Sequence, residues 1–124
     1  MGKHHLIVVV DDLFFLSKIE STLRAMGLKH QVIREEAQLF LKAPEIRPSM
    51  IILDLHLKTS DPMKVIAHLK GDKQLKMIPI LAYASHVDQK RIKEAQDIGC
   101  DEVVARSVFS EQLPQLIQKH LPNW

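Results

Sequence analysis

Two acidic residues, Asp11 and Asp12, follow directly on a short apolar run at residues 6–10, and a third, Asp54, follows directly on another at 50–53. Carboxylates can move protons, ligate hard cations or act as weak nucleophiles. Gathered in one place they repel one another, so such a cluster needs compensation. A hard divalent cation supplies it: Mg²⁺ takes one or two carboxylates and keeps several waters. A carboxylate beside that cation suits phosphoryl transfer, which asks mainly for positioning and neutralised charge. The plainer role for Asp11 or Asp12 is to cap the helix that follows, a usual place for aspartate. A cap explains one acid and leaves the other two.

The elements around these acids decide whether they meet. The run at 6–10 is rich in β-branched residues and continuous, as a strand buried on both faces should be, and 50–53 and 78–82 are similar. Residues 30–33 and 102–105 are shorter and weaker, which places them nearer sheet edges. Helical stripes lie between. Leu16, Ile19, Leu23 and Met26 form the first, stopped at Gly27. Ala37, Phe40 and Leu41 mark a second, ended before Pro44. Val65, Ile66 and Leu69 mark a third, opened by Pro62 and ended by Gly71. Ile92, Ala95 and Ile98 mark a fourth, ended by Gly99. Leu113, Leu116, Ile117 and Leu121 mark a fifth, ended near Pro122. Strand and helix thus alternate, predicting an α/β fold: a five-stranded parallel sheet, doubly wound, with right-handed crossovers. In such sheets chemistry collects at the carboxyl ends of the strands, where Asp11, Asp12 and Asp54 stand.

Composition narrows the field. A chain of 124 residues fits one domain, expected to span 1–124. Lys and Arg total 17 against 15 Asp and Glu, a net charge of +2, too balanced for a nucleic-acid or membrane partner. The single cysteine, Cys100, cannot form an internal disulfide and reads as a small buried residue in a reducing compartment. No apolar run is long enough for a leader or membrane span, so the protein is expected to be soluble and cytoplasmic. Asn123 and Trp124, after Pro122, are expected to be mobile. There is no Gly-rich phosphate loop, dinucleotide fingerprint or Ser-His-Asp order.

The acidic pair after the first strand, Asp54 within Ile51-Ile52-Leu53-Asp54-Leu55, and Gly99-Cys100-Asp101 before the last strand resemble the response-regulator receiver family over essentially the whole chain. The resemblance implies a flavodoxin-like receiver fold. It makes Asp54 the acceptor of a phosphoryl group from a histidine kinase or phosphotransfer protein. It has Asp11, Asp12 and Asp54 hold Mg²⁺, completed by the backbone carbonyl of His56, whose side chain is then read as loop surface. The family's usual hydroxyl at the end of the fourth strand maps to Ala84, its switch aromatic to Val103, and its Lys-Pro to Arg106-Ser107. Arg106 keeps the charge and can bind phosphate in a forked geometry. Ser85 is a possible substitute hydroxyl, or simply a capping serine before the helix near Asp88. His86 reads as surface.

Two functions stay open at this stage. One is a phosphorylatable receiver in a two-component phosphorelay, signalling to a downstream protein partner. The other is a pseudo-receiver that binds protein without phosphate, which Ala84, Arg106, Ser107 and Val103 favour. A small phosphatase using Asp54 is a distant third, since His56 stands where such enzymes carry a second aspartate. The expectation is a phosphoryl acceptor and not an enzyme, acting either alone or as a piece of a longer protein.

Overall fold

The computed structural model describes residues 4–121, so Asn123 and Trp124 lie outside the described residues. Strands β1 (His5–Val9), β2 (Lys29–Val32), β3 (Met50–Asp54), β4 (Ile80–Ala84) and β5 (Glu102–Ala105) alternate with helices α1 (Leu13–Ala25), α2 (Glu36–Ile46), α3 (Pro62–Gly71), α4 (Gln89–Ile98) and α5 (Arg106–His120). The sheet has the order β2-β1-β3-β4-β5, and every pairing is parallel. The doubly wound α/β fold is therefore as expected. The apolar strands β3 and β4 are buried along their whole length, whereas β2 and β5, the weaker runs, form the edges and are partly exposed.

Alternation along the strands splits the core in two. One layer joins Ile7, Ile51, Leu53 and Ala82 to Leu39 of α2, Val65, Ile66 and Leu69 of α3, and Ala95 of α4. The other joins Leu6, Val8, Ile52 and Tyr83 to Leu16, Ile19 and Leu23 of α1 and to Phe109, Leu113 and Ile117 of α5. Each large aliphatic side chain fully removed from water contributes roughly 1.5–3 kcal/mol, offset by the entropy of ordering it. Register then fixes the site. Val9 pairs with Leu53 and Asp54 with Tyr83, so Asp54 ends the central strand one step beyond the last paired residue of β1.

The helices differ from the sequence reading in three places. Helix α2 runs through Pro44 to Ile46 before Arg47 turns left-handed (φ 51°). Pro44 falls in the last turn, where one missing amide interrupts little of the ladder. The buried stripe of α2 is Leu39 and Ala43, while Leu41 is 66% exposed. Helix α5 begins at Arg106, well before Leu113, and is broken at Gln112, two residues ahead of Pro114. The fourth strand also lies two residues later than expected, Ile80–Ala84 in place of 78–82. Gly27 (φ 72°) does end α1 as expected, with Leu28 N–H donating to the Leu23 carbonyl at 2.9 Å.

Candidate functional site

Asp54 is the one buried charged residue among those described, 2% exposed. Strand β3 delivers it there: it closes an apolar run whose backbone is paired on both sides. Its Oδ1 accepts the His56 amide at 2.7 Å, which folds the following loop back over the carboxylate. Burial is the dominant influence and pushes its pKa above the ordinary carboxylate value. The His56 amide, the nearby Tyr83 hydroxyl and the Arg106 cation pull the other way without cancelling it.

The acidic pair is held by different means. Asp12 Oδ1 accepts from Phe14 N–H at 3.0 Å and Phe15 N–H at 3.2 Å, so it is the N-cap of α1. Asp11 Oδ2 accepts from Lys58 N–H at 2.8 Å and Thr59 N–H at 3.3 Å, tying the β3–α3 loop to the end of β1. Thr59 Oγ1 in turn donates to the Arg34 carbonyl at 2.6 Å. Asp11, Asp12, Asp54, His56, Arg34 and Arg106 all line one cavity of about 650 Å³, together with Lys58 and Thr59. The cavity thus brings the expected acids together, and adds Arg34 and Lys58 as cations that spacing alone did not single out. A smaller groove of about 340 Å³ beside Pro44, Arg47, Pro48 and Leu75 has no acid in its lining.

Arg106 is the first residue of α5 and stands exposed over an aromatic cluster, its guanidinium carbon 5.8 Å from the Phe15 ring centre and 5.9 Å from that of Tyr83. It reaches Asp54 through its charge and forms no ion pair among the described residues. A cation at the N-terminus of a helix meets the positive end of the macrodipole, so this corner of the cavity favours an anion.

The other positions are placed as follows. Ala84 is fully buried in the layer facing α3 and α4, and Val103 packs against that same layer. Ser85 turns its hydroxyl into its own loop, where Oγ accepts from Val87 N–H at 3.4 Å. The Ser85 amide donates to His56 Nε2 at 3.1 Å. The His56 side chain is therefore half-buried and links the β3 and β4 loops, where the sequence reading gave a loop surface. Arg91 strengthens the same junction: its Nη1 donates to the Leu55 carbonyl at 2.9 Å and its Nε to Asp88 at 3.0 Å. His86 is exposed. Cys100 is buried, and burial pushes its thiol up to about 12, so it is no nucleophile at neutral pH.

The donor set is all oxygen, the chemistry that Mg²⁺ prefers. Each acid has one oxygen engaged with backbone amides, and among the described residues its second oxygen makes no hydrogen bond of ordinary geometry. Among the described residues no three such side chains close on a common point as a ready-made metal cluster. With three carboxylates lining one cavity, Asp11, Asp12 and Asp54 would be the side chains to hold such a cation.

The family model for the response regulator receiver domain matches residues 6–118. The polar-differentiation response regulator DivK of Brucella anthropi is 24% identical over 118 residues, 93% of this chain and 94% of that protein. The response regulator VraR of Staphylococcus aureus is 26% identical over 78 residues, 63% of this chain and 36% of that longer protein. Among solved structures, the chemotaxis response regulator CheY4 of Vibrio cholerae superposes with a TM-score of 0.83 at 19% identity, covering 95% of this chain and 98% of that one. The receiver domain of a sensor histidine kinase from Pseudomonas aeruginosa, which coordinates magnesium in its active-site cleft, gives 0.83 at 19%, covering 94% and 96%. At such identities the solved structures speak for the fold, and the family match carries the assignment. With its acids at the carboxyl ends of β1 and β3 and its match over almost the full length, the chain belongs to the response regulator receiver domain family.

Proposed function

We propose that this receiver accepts a phosphoryl group on Asp54, from a histidine kinase or phosphotransfer protein, and passes the signal to a downstream protein partner. The observation that carries the reading is the shared cavity. The buried Asp54 opens into the same space as Asp11, Asp12 and Arg106. In the transfer an Asp54 oxygen forms a bond to phosphorus while the bond from phosphorus to the donor's nitrogen breaks, and the departing imidazole takes up a proton. Asp11, Asp12, Asp54 and the His56 backbone carbonyl would hold Mg²⁺, which when bound neutralises charge on the phosphoryl oxygens. Arg106 is the side chain best placed to pair with those oxygens. The Ser85 hydroxyl is turned away from that role by its bond within the loop.

The protein on this reading is an acceptor, used as one domain over 1–124, and turnover of small phosphate esters is not its task. A phosphate-independent binding module is not favoured, because the acidic cavity is intact. No helix among the described residues is long and apolar enough to cross a membrane, and we place the protein in the cytoplasm. The test is intact mass after incubation with a small acyl phosphate and Mg²⁺. One added phosphoryl group is expected on the wild type and none on Asp54→Asn. A wild type that stays unmodified, or a variant that is still labelled, sinks the proposal.

A further inference from the structure

Tyr83 is the only tyrosine in the chain. It is fully buried, and its hydroxyl has no hydrogen-bond partner of ordinary geometry among the described residues. Leaving a buried hydroxyl unmatched is costly, and phenylalanine would fill the same space without that cost. The ring is clamped between Phe15, at 4.8 Å between centres, and Phe109, at 4.6 Å. Its backbone is fixed as well, since it pairs with Asp54 across the strands and its carbonyl accepts the Leu55 amide at 3.0 Å. Neighbouring partners in a parallel ladder project to the same face, so the phenol is carried on the Asp54 side of the sheet. There it feels the Asp54 carboxylate as a nearby acceptor and a charge, Asp12 as a second negative charge, and Arg106 as a positive one.

We propose that the Tyr83 hydroxyl donates a hydrogen bond to the phosphoryl group on Asp54, supplying from β4 the donor that Ala84 cannot provide. The inference rests on the reading of Asp54 as phosphoacceptor. In the unmodified protein the carboxylate is aligned by the His56 amide, and the phenol is left without a hydrogen-bond partner among the described residues. A phosphoryl group adds acceptor oxygens and negative charge just beyond the carboxylate, and charged acceptors make the stronger bonds. The phenol carries an O–H that can be donated to such an acceptor. The guanidinium of Arg106 over the same ring would close on the anion from the solvent side. The bond would form without travel, because both ring and strand are already held.

Because the tyrosine is unique, ring-¹³C tyrosine labelling yields a single spin system that reports on it directly. The probe is beryllofluoride with Mg²⁺, titrated into wild type and Tyr83→Phe. The expected result is a shift of the Tyr83 Cζ resonance on binding, and affinity about ten-fold weaker in the variant. The unliganded variant should melt at or above the wild-type temperature, as a merely structural hydroxyl would not allow. A Tyr83 signal that stays still while the probe binds, with equal affinity in both proteins, overturns the proposal and leaves Asp54 as acceptor. A wild type that neither binds the probe nor accepts phosphate from an acyl phosphate overturns the Asp54 reading together with it.

Discussion

Asp54 keeps only 2% of its surface in contact with water, and on the proposed reading it must be ionised to attack phosphorus. Its folded pKa lies above the ordinary 3.8, with burial the main cause, so the folded protein binds a proton more tightly than the unfolded chain does. Stability is then fully expressed below the ordinary value and declines as pH rises through the folded one. Asp54→Asn carries no such burden. It should melt above the wild type at pH 7, and the difference should shrink as pH falls through the raised folded value and be gone below about 4, the unperturbed range for aspartate. Melting curves from pH 3 to 8 decide this, and a variant that melts lower at pH 7 refutes it. On the proposed reading Asp12 combines an observed cap with a metal contact, two roles that Mg²⁺ can separate. Asp12→Ala removes the α1 cap and should cost ~1 kcal/mol without metal. It should also abolish the metal-dependent stabilisation, which for the wild type at ten times the dissociation constant is about 1.4 kcal/mol. Melting with and without Mg²⁺ resolves the two, and a wild type indifferent to millimolar Mg²⁺ argues against the site. The acids themselves were legible in the sequence because each directly follows an apolar run. Tyr83 was not, because a lone tyrosine inside an apolar run looks like any core aromatic until its register against Asp54 is known.

Strand ends deliver the acids, and the loops after them set the geometry. His56 spans two loops by accepting the Ser85 amide. His56→Ala should raise amide exchange at Ser85 about ten-fold and change global stability by no more than ~1 kcal/mol. Unchanged exchange would mean that Arg91, not His56, holds this junction. On the far end of the sheet, Lys70 Nζ reaches the carbonyls of Lys76 and Ile78, both at 3.2 Å, and Asp101 at 2.7 Å. Gly99, at φ 124°, lies against it, and a Cβ there would stand 3.3 Å from Lys70 Cγ. Gly99→Ala should lower the unfolding free energy by about 1–3 kcal/mol, read as a lower denaturant midpoint with an unchanged slope. Gly71→Ala, whose Cβ meets nothing within 4 Å, should be neutral or mildly stabilising. Period and stop signals were enough to order the strands and helices. They misplaced the stripe of α2, since Leu41 satisfies a helical pattern while Leu39 and Ala43 do the packing. They also caught only the second half of α5, because Pro114 interrupts the pattern that begins at Arg106. The half-buried role of His56 depends on a contact between loops that no local pattern encodes.

At the scale of the whole molecule, the question is how far a phosphoryl group at one strand end moves the rest. A ligand shifts a conformational equilibrium only through contacts that differ between two states. Ala84 has no hydroxyl to be drawn in, Val103 has no ring to swing, and Tyr83 is clamped by Phe15 and Phe109. Beryllofluoride with Mg²⁺ should therefore change amide shifts at residues 54–59 and near Arg106 strongly, and those of 86–103 weakly. Large changes throughout 86–103 would reveal a moving part that none of these residues supplies. The sheet order was readable in outline, since the two weakest runs became the edges. Its exact register was not, because that depends on strands far apart in sequence. That order also bears on how the chain takes shape as it is synthesised. Leu6 pairs with both His30 and Met50, so the centre of the sheet cannot close until β3 has emerged. After that, β4 and β5 add outward in the order in which they are made. A nascent chain halted after α3 would hold β1, β2 and β3 and leave, besides the permanent edge at β2, an open flank at β3, a continuous apolar strand awaiting β4. That flank is the place where a pause in translation would most invite aggregation.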